Sequence, residues 1–255
     1  MVRNDPYPLF KIMPLKFIVT FVVLISSLHA QHGKAELPLG PNKTKATLHF
    51  FKFSSKTHEL KVIDQGTDQK PRYTDLASAM RANGCIAGCN GGFFQRDGKP
   101  LGLVVSNGLA QGVNNQKSSL TSGTIYVEKG SISLVRTTAF SKKTAPMPRQ
   151  VLQTGPFLVE DGQSTRGLSN RKFARRTVLA TDNQGNWAIL YTPPTTLSQL
   201  GDVLAKSGAI NGFTIRQAIN LDGGSSSGLW VNRENQPLYF HEVRKVRNFL
   251  GVTRK

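Results

Sequence analysis

"ARRTVLATDNQGNWAILYT", residues 174–192, sets two strand-like runs on either side of the polar turn "DNQGN". Apolar, β-branched and aromatic residues bounded by Asp, Asn and Gly are the signal of a strand hairpin. The signal recurs. "KATLHFFKF" (45–53) and "HELKVID" (58–64) read as a hairpin around a polar turn, and "SGTIYVEKGSISLVRTT" (122–138) as another, turning at Lys129-Gly130. "QTGPFLVEDG" (153–162) puts a Gly155-Pro156 turn before Phe157-Leu158-Val159 and closes with Asp161-Gly162, while "LWVNRENQPLYF" (229–240) reads as strand, turn and strand. Only two stretches carry a helical period. In "YTDLASAMRANG" (73–84), Thr74 is the expected cap, Leu76, Ala77 and Met80 share a face, and Gly84 stops the helix. In "TTLSQLGDVLAKSG" (195–208), Leu197, Leu200, Val203 and Leu204 form the apolar face and Gly208 the stop. The expected class is therefore α+β, strand-rich, with mixed or antiparallel sheets and a few short helices in a single domain.

The two helices lead into similar segments. The first runs into "CIAGCNGGFF" (85–94) and the second into "QAINLDGGSSSG" (217–228), each an apolar strand ending in Asn or Asp before Gly-Gly. Two similar corners would bring Asn90 and Asp222 toward one cleft, the glycines letting a ligand approach the backbone.

The chain of 255 residues opens with Lys16 and the apolar run "FIVTFVVLISSL" (17–28), too short to span a bilayer and built like a secretory signal. Residues 1–30 are expected to be that signal, with Met13 as an alternative start, followed by a lead-in over 31–44 and a domain over 45–255. Export to the periplasm or medium of a bacterium is the consequence, without stable membrane insertion of the mature chain. Its loss removes Arg3, Lys11, Lys16 and Asp5, so the net charge falls from +18 to +16. A field of that sign gathers anionic partners. For an exported chain these are phosphate-bearing glycans and wall polymers rather than nucleic acid; oligomeric state is not legible.

Cys85 and Cys89 stand about 13 Å apart if their segment is extended at ~3.3 Å per residue, too far for a disulfide. The histidines at 29, 32, 49, 58 and 241 lack metal-ligand spacing, so no cofactor is expected, a divalent cation staying open. Gly224 to Gly228 fits the serine-hydrolase elbow G-x-S-x-G, but a strand rather than a helix should follow it. No phosphate-binding loop or dinucleotide fingerprint is present.

"CNGGFF" (89–94), "QTGPFLVEDG" (153–162), "RRTVLATD" (175–182), "AINLDGGSSSG" (218–228) and "VRNFLGV" (246–252), in this order, resemble the phosphodiester glycosidase family over about residues 45–255. The resemblance implies an enzyme that cleaves the glycosidic bond of a sugar 1-phosphodiester. It matches Asn90, Gly91, Gly92 and Phe93 to one motif, Arg176 and Thr177 to another, and Asp222 to Ser226 to a third, with Ser225 where the family carries a third glycine. Asp222 and Arg176 are then the implied catalytic pair. Asn90, Gly91, Gly92, Phe93, Thr154, Gly155, Thr177, Gly223, Gly224 and Ser226 are the implied substrate contacts, with the backbone N–H groups of the four motif glycines as a phosphate cradle.

The chemistry agrees with this. Ordinary glycosidases need two carboxylates, one of them protonating a poor leaving group. A phosphate monoester, with a second pKa near 6, leaves without strong acid assistance, so one carboxylate and an arginine suffice. A non-catalytic module binding anionic envelope polysaccharide is the competing class, since it needs the charge and the cleft but no reactive carboxylate.

Overall fold

The chain alternates strand and turn almost throughout, and three sheets share one apolar centre. The structure is a computed structural model describing Met1 and residues 30–67, 70–140 and 146–255; the segment expected to be a signal, apart from its two end residues, lies outside them. The first sheet has seven strands, in spatial order Gln31–Leu37, Ala46–Ser54, Asn186–Thr195, Ala174–Thr181, Gln217–Asn220, Phe157–Glu160 and Gln163–Ser164. The second orders Ser131–Arg136, Gly123–Glu128, Gln150–Thr154, Val104–Ser106 and Leu109–Gln111. The third orders Leu238–Phe240, Leu229–Val231, Ala87–Asn90, Asn248–Arg254 and His58–Asp64. Every pairing among the described strands is antiparallel.

The period of two explains the layers. Leu179, Ile189 and Ile219 of the first sheet meet Cys89 and Leu250 of the third and Ile125 and Leu152 of the second in the central core. Their neighbours Val178, Ala180, Leu190 and Ala218 point the other way, onto helix α2 (Leu197–Leu204) through Leu200, Val203 and Leu204. Helix α1 (Leu76–Ala82) covers the outer face of the third sheet, packing Leu76 and Met80 on Trp230 and Phe249. With both faces of the first sheet covered, its central strands read as unbroken apolar runs.

Three sequence expectations need correction. Ala46–Ser54 and His58–Asp64 are both strands but not a hairpin. Both edges of Ala46–Ser54 are taken, by Gln31–Leu37 and Asn186–Thr195, so the Ser54–His58 turn hands the chain to the third sheet, where His58–Asp64 pairs Asn248–Arg254. The cap of α1 is Asp75, not Thr74: its carboxylate accepts the Ser78 N–H at 2.7 Å and the Ser78 hydroxyl takes the Asp75 N–H at 3.0 Å. Helix α2 ends at Leu204, short of Gly208, which lies in the following turn at φ 80°.

The hairpins at Lys129-Gly130, at "DNQGN" and over residues 229–240 form as read. Cys85 and Cys89 are unpaired and buried, in different clusters on the two sides of the third sheet. Burial pushes the Cys85 thiol to about 11 and raises that of Cys89 further. The native protein should therefore resist thiol alkylation at neutral pH, whereas unreduced protein unfolded in denaturant should take two labels; one label or none would mean a covalent block at these sulfurs.

Candidate functional site

Strand Gln217–Asn220 lies between Ala174–Thr181 and Phe157–Glu160. Its pairs with the former run Ala180↔Ala218, Leu179↔Ile219 and Val178↔Asn220, and Leu221 N–H donates to Thr177 O at 2.9 Å. Continuing that register sets Arg176 across from Asp222, at the end where the central strand stops and its two neighbours begin. Gly223 comes directly after, and a Cβ built on it would stand 3.2 Å from Arg176 Nη1, so the guanidinium lies against the glycine turn.

The Asp222 backbone is clamped from behind. Its N–H donates to Gly91 O at 3.0 Å, and its carbonyl accepts Asn90 Nδ2 at 2.7 Å. In front, the carboxylate accepts the Gly223 N–H at 2.8 Å. Burial raises the Asp222 pKa above the ordinary carboxylate value; hydrogen bonding from the Ser226 side chain and from Gly223, and the charges of Arg244 and Lys172, pull the other way without cancelling it. Arg176 is 8 % exposed, donates from Nε to Thr195 O (3.3 Å) and from Nη2 to Lys172 O (2.9 Å), and has its pKa lowered by burial. Among the described residues Nη1 has no partner, and no ion pair joins Arg176 to Asp222.

The serine turn is pinned from outside. Arg175 donates from Nε to Gly224 O (3.1 Å) and from Nη1 to His241 O (3.2 Å), and Ser227 Oγ donates to Arg175 O (3.1 Å). Gly224 takes φ 68°, the left-handed region that favours glycine. With the turn bent this way, the N–H groups of Gly224 and Ser225 are left without partners among the described residues. Ser225 is exposed, and its carbonyl accepts Val243 N at 2.7 Å and Arg244 N at 3.0 Å, which carries the Arg244 loop to the site.

The residues implied by the sequence thus separate into two groups. Asp222, Gly223, Gly224, Ser226 and Arg176 gather at one corner. Behind it, Asn90 is fully buried, with Oδ1 accepting Gly228 N–H at 3.1 Å. Gly91 and Gly92 donate to Asn248 O (2.9 Å) and Oδ1 (2.7 Å), and a Cβ on Gly91 would come within 2.0 Å of that oxygen. These two glycines admit a neighbouring strand, not a ligand, so the four-glycine cradle is corrected: Gly91, Gly92 and Gly223 spend their N–H groups internally, and of the four only the Gly224 N–H has no partner among the described residues. Thr154 is buried and donates to Asn220 O at 3.0 Å, and Gly155 O accepts Asn220 Nδ2 at 3.0 Å. Thr177 is buried with its hydroxyl unpartnered, and Phe93 is half-buried, its carbonyl accepting Leu101 N–H at 2.9 Å.

Sequence reasoning missed Asn220 and Asn248 as clamps, although both sit inside quoted motifs. Lys172 and Arg244 have no local signature; only the folding of distant loops brings their charge to Asp222. The serine-hydrolase arrangement is not built, since the chain leaves Ser226 into strand Leu229–Val231 rather than a helix. Among the described residues no three His, Cys, Asp or Glu side chains converge as metal ligands.

The family model described as phosphodiester glycosidase matches residues 83–253. Among solved structures, the chain is similar to the zebrafish N-acetylglucosamine-1-phosphodiester alpha-N-acetylglucosaminidase catalytic domain auto-inhibited by its pro-peptide, at TM-score 0.64 and 15 % identity over 89 % of this chain and 83 % of that one. It is also similar to a hypothetical protein from Synechocystis, at TM-score 0.56 and 15 % identity over 87 % of this chain and 61 % of the other. No curated protein matches it in sequence.

Two substitutions separate the corner from its backing. Asp222 has a folded pKa above its unfolded one, so the fold holds that proton more tightly and loses stability as pH rises from the ordinary carboxylate value through the raised one. Asp222→Asn removes that cost, and is expected to melt no lower than wild type at neutral pH, with any gain vanishing at acid pH where wild type is protonated in both states. Asn90→Ala strands the buried Gly228 N–H and Asp222 carbonyl, and should lower stability by at least about 2 kcal/mol at either pH. Denaturant titration of both variants at the two pH values checks this.

Proposed function

The chain belongs to the phosphodiester glycosidase family, and on that premise we propose that it is an exported hydrolase that cleaves the sugar–phosphate glycosidic bond of a sugar 1-phosphodiester carried by an anionic envelope glycan. The observation that supports this best is the corner itself. One carboxylate, its pKa raised by burial, stands at a glycine turn beside a buried arginine that keeps one nitrogen unpartnered. A second carboxylate is not needed for a phosphate leaving group. The +16 charge of the mature chain suits an anionic polymer, and the apolar run at residues 17–28 suits export.

In this reading the anomeric carbon sits before Asp222 and the bridging phosphate between Arg176 Nη1 and the Gly224 N–H, while the Ser226 hydroxyl stays on the Asp222 carboxylate. The bond between anomeric carbon and phosphate oxygen breaks, and its electron pair passes to the phosphate, where the guanidinium and the N–H dipole stabilise the added charge. Asp222, ionised, stabilises the positive charge appearing on the sugar. Water supplies the oxygen that replaces phosphate on that carbon, and its proton is released. Lys172 holds Arg176 in place through its carbonyl, and its own charge, with that of Arg244, keeps Asp222 ionisable despite burial.

The experiment is a screen of the purified mature chain against sugar 1-phosphodiesters, with both products identified. Asp222→Asn should lose at least about a hundredfold in turnover while still binding, and Arg176→Lys, which keeps the charge but not the planar fork, should lose activity clearly. The acid limb of kcat/KM should fall above the ordinary aspartate range, activity rising as Asp222 ionises. Binding without turnover across the panel would instead identify a non-catalytic glycan-binding module.

A further inference from the structure

A cavity of about 750 Å³ lies one strand over from the corner, is lined by none of its residues and takes no part in the reaction above. It is walled by the turn at residues 116–122, by Arg136 to Thr138, by Pro156 and Phe157 at the start of the Phe157–Glu160 strand, by the loop over residues 165–169 and by Leu197. Its position is fixed by the same asparagine that precedes the reactive carboxylate. Asn220 N–H donates to Pro156 O at 2.9 Å and Asn220 Nδ2 to Gly155 O at 3.0 Å. Asp222 is two residues further along, about 7 Å at the rise of a strand. One loop serves both places, since it lines the cavity at Thr165 and Ser169 and then delivers Lys172 O to Arg176.

The lining has a definite chemistry. The hydroxyls of Ser118, Ser119, Ser122, Thr138, Thr165 and Ser169 surround an apolar floor that includes Pro156, Leu168 and Leu197. Two of these oxygens, Ser122 Oγ and Thr165 Oγ1, are buried and unpartnered, an uncommon state for a buried hydroxyl. Three cations stand on the wall. Arg136 is committed, paired with Glu160 and packed 4.7 Å over the Phe157 ring. Lys117 and Arg166 carry no ion-pair partner among the described residues. Hydroxyl donors and acceptors over an apolar floor, with two uncommitted cations at the wall, match a polyhydroxylated ligand bearing a phosphate.

We propose that this cavity is a second glycan subsite, taking the sugar phosphate unit on the far side of the scissile diester, so that the substrate is a repeating anionic glycan rather than an isolated small diester. The proposal rests on the reaction assigned to Asp222 for its polarity along the chain, but binding in the cavity does not depend on turnover.

Two substrates and one ligand test it. The short substrate is a sugar 1-phosphodiester with a methyl aglycone, and the long one joins the same sugar through phosphate to the 6-hydroxyl of a second phosphorylated hexose. Arg166→Gln and Thr165→Val each leave the short substrate's kcat/KM unchanged and lower that of the long substrate about tenfold, the effect of one charged or buried hydrogen bond. Arg166 is exposed, so unchanged melting of Arg166→Gln guards against a folding artefact. Equal losses on both substrates, or no loss on either, overturn the subsite. If wild type turns over neither substrate, the assigned reaction fails, and the cavity is judged on hexose 6-phosphate binding by calorimetry: it stands if Arg166→Gln weakens binding about tenfold and Asp222→Asn does not, and falls if wild type does not bind or the two variants behave alike.

Discussion

One buried amide joins the sheets at the place where the chemistry is proposed. Asn90 ends a strand of the third sheet, yet its Nδ2 donates to the carbonyl of Asp222 at the end of a strand of the first, and its Oδ1 takes the N–H of Gly228 just before the next strand of its own sheet. A backbone bond from Asp222 N–H to Gly91 O meets them there, but no ladder joins the two strands, which belong to different sheets. An apolar side chain at 90 would leave a donor and an acceptor unpaired in a fully buried position, at about 1–3 kcal/mol each. Asn248 acts similarly one strand away by accepting from Gly92, and Asn220 by donating to Gly155. The corner is therefore a junction of strand ends held by side-chain amides, which fixes the direction in which Asp222 leaves its strand.

That junction explains why the sequence was legible in outline and misleading in detail. Strand alternation is local, so the hairpins at residues 123–136, 174–195 and 229–240 can be read directly from the residues. Which strand lies beside which is not local. The run over 46–64 has the pattern of a hairpin and becomes two strands in different sheets, because distant segments fill both edges of the first. The likeness between "CNGG" and "LDGG" does report a spatial meeting of Asn90 with Asp222, but the two residues do opposite work. One is wholly enclosed, and the other keeps its carboxylate at the surface of the junction. Glycine carries the same ambiguity: it admits Asn248 at Gly91, and it reverses the chain at Gly224. A sequence motif cannot distinguish close approach by a neighbouring strand from close approach by a ligand.

Charge is distributed by the same logic. Burial alone would favour a neutral Asp222, and the protein answers with hydrogen bonds from Gly223 and Ser226 and with two cations supplied from separate loops. Arg176 does not neutralise it by contact. Its Nε and Nη2 are held by carbonyls, which carry only partial charge, so the guanidinium keeps its full positive charge and one free nitrogen for an incoming anion. An arginine already paired with the carboxylate would have to exchange that partner for phosphate, and the carboxylate would then be left buried and alone. Keeping the two apart avoids that exchange.

Arg175 governs shape where Arg176 governs charge. Its guanidinium spans Gly224 O and His241 O, and its own carbonyl takes the Ser227 hydroxyl, so one residue ties the serine turn to the first sheet and to the loop that carries Arg244. The left-handed φ at Gly224 turns that peptide outward, and the tie holds the turn together with the backbone bonds from Ser226 and Ser227 N–H to Gly223 and Gly224 O and from Val243 and Arg244 N–H to Ser225 O. Ser225, in the place where a third glycine is usual, is compatible with the geometry because its side chain faces solvent and only its carbonyl is used, by Val243 and Arg244. The substitution therefore leaves the backing of the corner untouched and acts on its rim, where the phosphate of the proposed substrate and whatever it carries would pass.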